Sequence, residues 1–217
     1  MTLELDNIVK HFAKDGHTVG VLDGLSLRLL PGEFAAIRGA SGCGKSTCLL
    51  VAGALLHPDA GTVRLDGQDP YELSSDARAT FRAEKVGFVF QQFHLVPYLS
   101  VIENVLTAAL PQGQDRRSRA MELLDRLGMA DRADHRPDEL SVGQRQRTAL
   151  ARAVLNQPRL ILADEPTGNL DPENAHVVLD YLRAMAKEGA AVLLVSHSPT
   201  AAAAADKVYR LEQGGLR

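Results

Sequence analysis

The densest chemistry in the sequence lies in Gly39-Ala40-Ser41-Gly42-Cys43-Gly44-Lys45-Ser46-Thr47. Its glycines let backbone N–H groups converge on phosphate oxygens, and a helix opening at Lys45 adds the positive end of its dipole. A lysine and a hydroxyl at this spacing reach terminal phosphates and a magnesium ion, so the run reads as a phosphate-binding loop. Leu160-Ile161-Leu162-Ala163-Asp164-Glu165 ends an apolar strand in two carboxylates. Beside a phosphate loop these are a magnesium-binding Asp164 and a water-activating Glu165; without one they would merely solvate a strand end. Neighbouring strand residues face opposite sides, so the two carboxylates should hold different roles. A third run, Leu140-Ser141-Val142-Gly143-Gln144-Arg145-Gln146-Arg147, opens a helix with hydroxyl and N–H donors fit for an anion. On helix physics alone a Ser-capped helix with a basic first turn is the favoured reading.

Alternating strand and helix patterns must position these residues. Leu3 to Val9 and Val19 to Leu30 read as strands with an antiparallel start, and Glu33 to Ile37 as a strand entering the glycine-rich loop. Lys45 to Ala54 and Asp76 to Lys85 read as helices, Thr62 to Leu65 and Val86 to Phe90 as strands. Val101 to Leu110 and Arg116 to Leu127 are amphipathic helices separated by Pro111-Gln112-Gly113, forming a helical insertion. A helix over 143–155, a strand over 160–163, a helix over 173–187 and a strand over 191–195 follow. Continuous apolar strands between helices imply an α/β fold whose mostly parallel sheet is covered on both faces. The alanine run 201–205 needs only helix propensity to explain it.

Composition narrows the partners. Of 217 residues 45% are hydrophobic, enough for one sizeable core, and 24 basic against 27 acidic residues leave a net charge of −3. No basic surplus is available for nucleic acid, which is not expected as a partner. Two cysteines, Cys43 and Cys48, are too few for a disulfide framework and fit a reducing compartment. The acidic start Leu3-Glu4-Leu5-Asp6 is unlike a signal peptide, and no apolar run reaches membrane-spanning length.

In motif order the chain resembles the ATP-binding subunits of ABC transporters over nearly its whole length. Leu140-Ser141-x-Gly143-Gln144, placed between phosphate loop and carboxylate strand, is similar to that family's signature. Phe12, Gln91, the Asp171 after Gly168-Asn169-Leu170, and His197 match its remaining motifs in order. The wording Gly87-Phe88-Val89-Phe90-Gln91, Glu103-Asn104-Val105 and Glu165-Pro166-Thr167-Gly168 looks most like the branch of lipoprotein-release, macrolide-export and cell-division ATPases. The resemblance implies a P-loop NTPase core over 1–91 and 157–217, with an N-terminal antiparallel β subdomain, and a helical subdomain over 92–156. It implies ATP and Mg2+ as ligands, the metal held by Ser46, Gln91 and Asp164. Phe12 would stack on adenine, and residues 39–47 would cradle the phosphates. Glu165 would be the general base, Gln91 would sense the attacking water, and His197 would hold the γ-phosphate. Ser141, Gly143, Gln144 and Asp171 would meet the nucleotide or the loop of a second copy in a head-to-tail dimer. The partner would be a membrane permease holding the chain on the cytoplasmic face, received near Gln92 to Leu99. Val142 replaces the family's usual glycine; a β-branched residue there implies an ordinary backbone conformation.

Overall fold

The computed structural model describes residues 3–14, 16–110 and 115–217; the expected break at Pro111-Gln112-Gly113 lies outside them. β1 (Leu3–Lys14) and β2 (His17–Leu29) form an antiparallel pair, and β3 (Phe34–Arg38) runs through the glycine-rich loop into α1 (Lys45–Ala52). β4 (Ala60–Leu65) returns antiparallel to the free side of β1, and α2 (Ser75–Lys85) leads into β5 (Val86–Val89). α3 (Val101–Leu106), α4 (Arg116–Arg126) and α5 (Val142–Val154) pack on one another. The chain then alternates β6 (Leu160–Asp164), α6 (Pro172–Lys187), β7 (Ala191–Val195), α7 (Pro199–Ala203) and β8 (Lys207–Glu212), and a short β9 (Gly215–Leu216) follows.

Two sheets result. One has the order β2-β1-β4 and the other β5-β6-β7-β3-β8-β9, parallel except for the last pair. Alternation along β3, β6 and β7 divides the interior. Phe34, Ala36, Ile161, Ala163, Val192 and Leu194 face a core shared with α3 to α7. Ala35, Ile37, Leu160, Leu162, Leu193 and Val195 face α1 and the antiparallel sheet. Both faces are covered, as the apolar strands require. The phosphate loop, the carboxylates and His197 all leave strands β3, β6 and β7 at their C-terminal ends, where ligands of such sheets gather.

The helix expected to reach Leu110 stops at Leu106. There the chain tightens into i to i−3 turns, Ala108 N to Val105 O and Ala109 N to Leu106 O. Val142 begins α5 and is absent from the residues with positive φ, so its backbone is ordinary. β8 and β9 were not expected from the sequence. Beyond β1 and β2 as expected, the hairpin extends to Lys14 and His17, and β1 carries register shifts between Leu5 and Ile8, Ile8 and Lys10, and Lys10 and His11.

Candidate nucleotide site

Six of the seven α-helices among the described residues begin at a side chain that accepts a first-turn N–H: Ser74, Ser100, Asp115, Ser141, Asp171 and Ser198. α1 differs. Its cap is Gly44, with no side-chain hydrogen bond and no acid in the first turn, so the helix start is left for an exogenous anion. Gly44 has φ 105°, and a Cβ there would lie 2.8 Å from Val21 O, so glycine alone fits the turn. The loop opens on a cavity of about 410 Å³ lined by Ser41, Gly42, Gly44, Lys45, Ser46 and Thr47. Gln91, Asp164, Glu165 and His197 line the same cavity, gathering residues from four strand ends.

Lys45 is only 8% exposed, and its ammonium folds back to donate to Gly39 O at 2.9 Å and Ala40 O at 2.8 Å. The charge is thus stored inside the loop with two of its three donors occupied. Burial pushes the Asp164 carboxyl above its ordinary range, and the charge of Glu165 adds to this; the Ser46 hydroxyl and Lys45 oppose it. A cation at Asp164 would reverse the penalty on the ionised form.

Glu165 sits at φ 44°, its N–H bonded to Val195 O at 2.9 Å, which turns its carboxylate toward the end of β7. Ser196 Oγ donates to Oε2 at 2.8 Å; His197 N donates to Oε1 at 2.9 Å and His197 Nδ1 lies 2.8 Å from the same oxygen. With Nδ1–H as the donor, Nε2 is left to face a ligand. Asp164 and Glu165 therefore do diverge, one toward the loop hydroxyl and one toward His197. Ser196, buried and also accepting Ser198 N at 3.0 Å, is a supporting residue that the sequence reading did not name. Its signal was the hydroxyl immediately before His197.

The signature residues lie elsewhere. Ser141, Gly143, Gln144 and Asp171 do not line this cavity. Ser141 and Gln144 form a capping box, Ser141 N to Gln144 Oε1 at 2.9 Å and Gln144 N to Ser141 Oγ at 3.2 Å. Asp171 caps α6 through Asn174 N at 2.9 Å, and Asn174 Nδ2 donates to its other oxygen at 2.7 Å. These bonds hold its carboxyl below the ordinary range. A Cβ on Gly143 would stand 2.4 Å from Asn174 Oδ1, so signature helix and α6 are in contact through a glycine.

Beside the loop a second cavity, about 370 Å³, is lined by His11, Val19, Gly20, Gly42, Cys43 and Gln213 among others. Phe12 is not part of it; its ring is 40% exposed, with Lys10 Nζ 5.6 Å from the centroid. His11 instead lies over Gly20 and is tied to Asp59, whose Oδ2 accepts its N–H at 2.6 Å.

The ABC transporter family profile matches residues 22–168. The chain belongs to the ABC transporter family. It is 46% identical over 219 residues to the lipoprotein-releasing system ATP-binding protein LolD of Paramagnetospirillum magneticum, covering 99% of this chain and 96% of that protein. It is 42% identical over 214 residues to the macrolide export ATP-binding/permease protein MacB of Chlorobaculum tepidum, of which it spans only 33% while 98% of this chain is covered. The fold matches a dimeric structure of the ABC transporter cassette MJ0796 at a TM-score of 0.91 and 35% identity, over 99% of this chain and 96% of that one. A post-hydrolysis structure of the same cassette, bound to ADP and Pi, matches at 34% identity. This chain is accordingly a nucleotide-binding ATPase subunit of the family, with an α/β P-loop fold.

Proposed function

We propose that the chain binds ATP with Mg2+ in the cavity between phosphate loop and carboxylates, completes that site with the signature helix of a second copy, and drives a separate membrane permease from the cytoplasmic face. The uncapped start of α1, with Lys45 stored inside the loop, carries the reading. Ser46, Gln91 and Asp164 offer a hydroxyl, an amide and one carboxylate in a single cavity. Among the described residues no group of three or more His, Cys, Asp or Glu could hold a metal. A magnesium ion, which keeps several waters and leans on substrate phosphates, suits such a sparse oxygen set. When bound it supplies charge neutralisation of the phosphates. This chain's own residues do the rest: the loop N–H groups orient the phosphates, Glu165 accepts the proton of the attacking water, and His197 with a proton on both ring nitrogens donates Nδ1–H to Glu165 and Nε2–H to the γ-phosphate.

One chain separates its signature from its loop, so two copies arranged head to tail would make two complete sites. Gly143→Ala tests this. The added methyl must displace Asn174 and with it the Asp171 cap, shifting the face that meets the partner. Overpacking of this kind costs about 1–3 kcal/mol, so ATP-dependent dimerisation, followed by sedimentation velocity, should weaken roughly tenfold or more while one-copy ATP binding persists. Dimerisation equal to wild type would overturn the composite site.

Phe12 is proposed to cover the adenine. Phe12→Ala should weaken ATP about tenfold, the value of one stacked base, and leave inorganic triphosphate binding unchanged. Should His11→Ala produce that loss instead, the base lies over His11.

Residues 92–156 act as the signature-bearing subdomain. Beside Gln92 to Leu99, a groove of about 450 Å³ with Phe88, Phe90 and Leu110 in its walls is the proposed seat of a permease segment. Among the described residues no helix is long and apolar enough to cross a membrane, so the membrane part would belong to that partner.

A further inference from the structure

Across three neighbouring strands at one end of the parallel sheet, arginine stands opposite arginine. Arg38 on β3 is the parallel register partner of Arg210 on β8. Arg210 in turn exchanges two backbone hydrogen bonds of 2.8 Å with Arg217, just past β9. Ile37, Leu211 and Leu216 pack against the core on the side of α1, so alternation turns all three arginines to the opposite face, the one carrying Phe34 and Ala36. Like charges placed directly opposite across strands are unfavourable.

Among the described residues a single side-chain carboxylate lines the cavity with them. Glu212 lies 2.6 Å from Arg210 Nε and 3.6 Å from Arg217 Nη1. The Arg38 side chain has no hydrogen-bond or ion-pair partner among the described residues. The side chains of Arg210 and Arg217 remain 73% and 74% exposed, free to reorient. The three arginines and Glu212 line a cavity of about 700 Å³, larger than the nucleotide cavity; Gly39 and Ala40 line it too, and His197 is the one residue that lines both. None of the arginines lines the nucleotide cavity, so the proposed catalysis leaves their charge unused.

We propose that this cavity is a second anion site, distinct from the catalytic one, which takes a small phosphate-bearing ligand on Arg38, Arg210 and Arg217. Guanidinium forks match phosphate oxygens in bidentate geometry, and a bound phosphate removes the repulsion along the row. A free phosphate compound and a phospholipid headgroup share this chemistry.

The test fills the catalytic loop with ADP first, then titrates inorganic pyrophosphate calorimetrically. Wild-type protein should bind it, and Arg38→Leu and Arg210→Leu should each weaken it by about tenfold or more, the usual effect of losing a charged hydrogen-bond donor, with ADP affinity unchanged. Unchanged ADP affinity shows that the variants fold. Arg38→Lys, which keeps the charge and loses the fork, should fall between. Relief of the like-charge contact should also raise the ligand-free Tm of Arg38→Leu by about 1–3 °C. Phosphatidylcholine vesicles carrying phosphatidic acid separate the two sources: co-sedimentation of wild type but not of Arg38→Leu assigns a lipid headgroup, and pyrophosphate binding without co-sedimentation assigns a soluble phosphate. No binding of pyrophosphate to ADP-saturated wild type, binding unaffected by the substitutions, a lowered Tm for Arg38→Leu, or binding of polyglutamate in place of pyrophosphate would each overturn the proposal.

Discussion

Glu165→Gln should lower ATP turnover about a thousandfold, leave ATP affinity nearly unchanged, and accumulate dimer in the presence of ATP. The substitution is close to isosteric, and the surroundings tolerate it. Oε1 receives His197 N at 2.9 Å and lies 2.8 Å from His197 Nδ1, a place the amide oxygen can take. The amide nitrogen then meets Ser196 Oγ, 2.8 Å from Oε2 in the native chain, whose hydroxyl can rotate from donor to acceptor. Position, packing and the hold on His197 survive; what disappears is a group able to accept a proton from water. If hydrolysis removes the ATP bridge between two copies, blocking hydrolysis should keep the bridge in place. Phosphate release and sedimentation velocity with ATP read both effects. Turnover near wild type would remove Glu165 from the role of base and shift attention to His197 and Gln91, which line the same cavity.

What could be read in the sequence, and what could not, divides along a physical line. The phosphate loop, the strands ending at Asp164 and Val195, and the helices α5 and α6 carried local signals: apolar runs of strand length, a Ser or Asp cap, a terminal glycine. Those elements appear within a residue or two of their expected bounds. β8 escaped because its strand state is set from far away, by pairing with β3 some 170 positions earlier, and Lys207–Glu212 alternates partly exposed residues without an apolar run. The arginine row escaped for the same reason, since Arg38 and Arg210 become neighbours only through that pairing. Near Phe12 the difficulty is finer. Register shifts in β1 at Ile8, Lys10 and His11 change which side chain faces the loop, and a slip of one residue exchanges the faces. The Glu165 to His197 contact was hidden too: each residue was recognised, but their bond depends on the adjacency of β6 and β7 and on a left-handed backbone at Glu165.

Lys45→Ala should act on a different step, weakening ATP by about ten- to a hundredfold or more, the value of one or two charge-assisted hydrogen bonds, before any effect on hydrolysis is considered. In the ligand-free fold the ammonium satisfies Gly39 O and Ala40 O, so its removal leaves two carbonyls short of a donor as well as a buried position without its charge. Water can replace the donor at those carbonyls because the loop opens on a cavity, and the fold should therefore persist. Among the described residues no other lysine or arginine lines that cavity to replace the charge. The uncapped start of α1 would still offer N–H groups, so residual affinity should remain and should rank with the number of phosphates. ATP and ADP would lose affinity and AMP would lose little. Calorimetric titration of the three nucleotides against Lys45→Ala and wild type makes the comparison directly. Equal affinities for ATP would show that the ammonium stays on the loop carbonyls in the bound state, serving as a brace for the loop rather than a contact for the phosphates; losses equal for AMP and ATP would place its partner on the nucleoside instead.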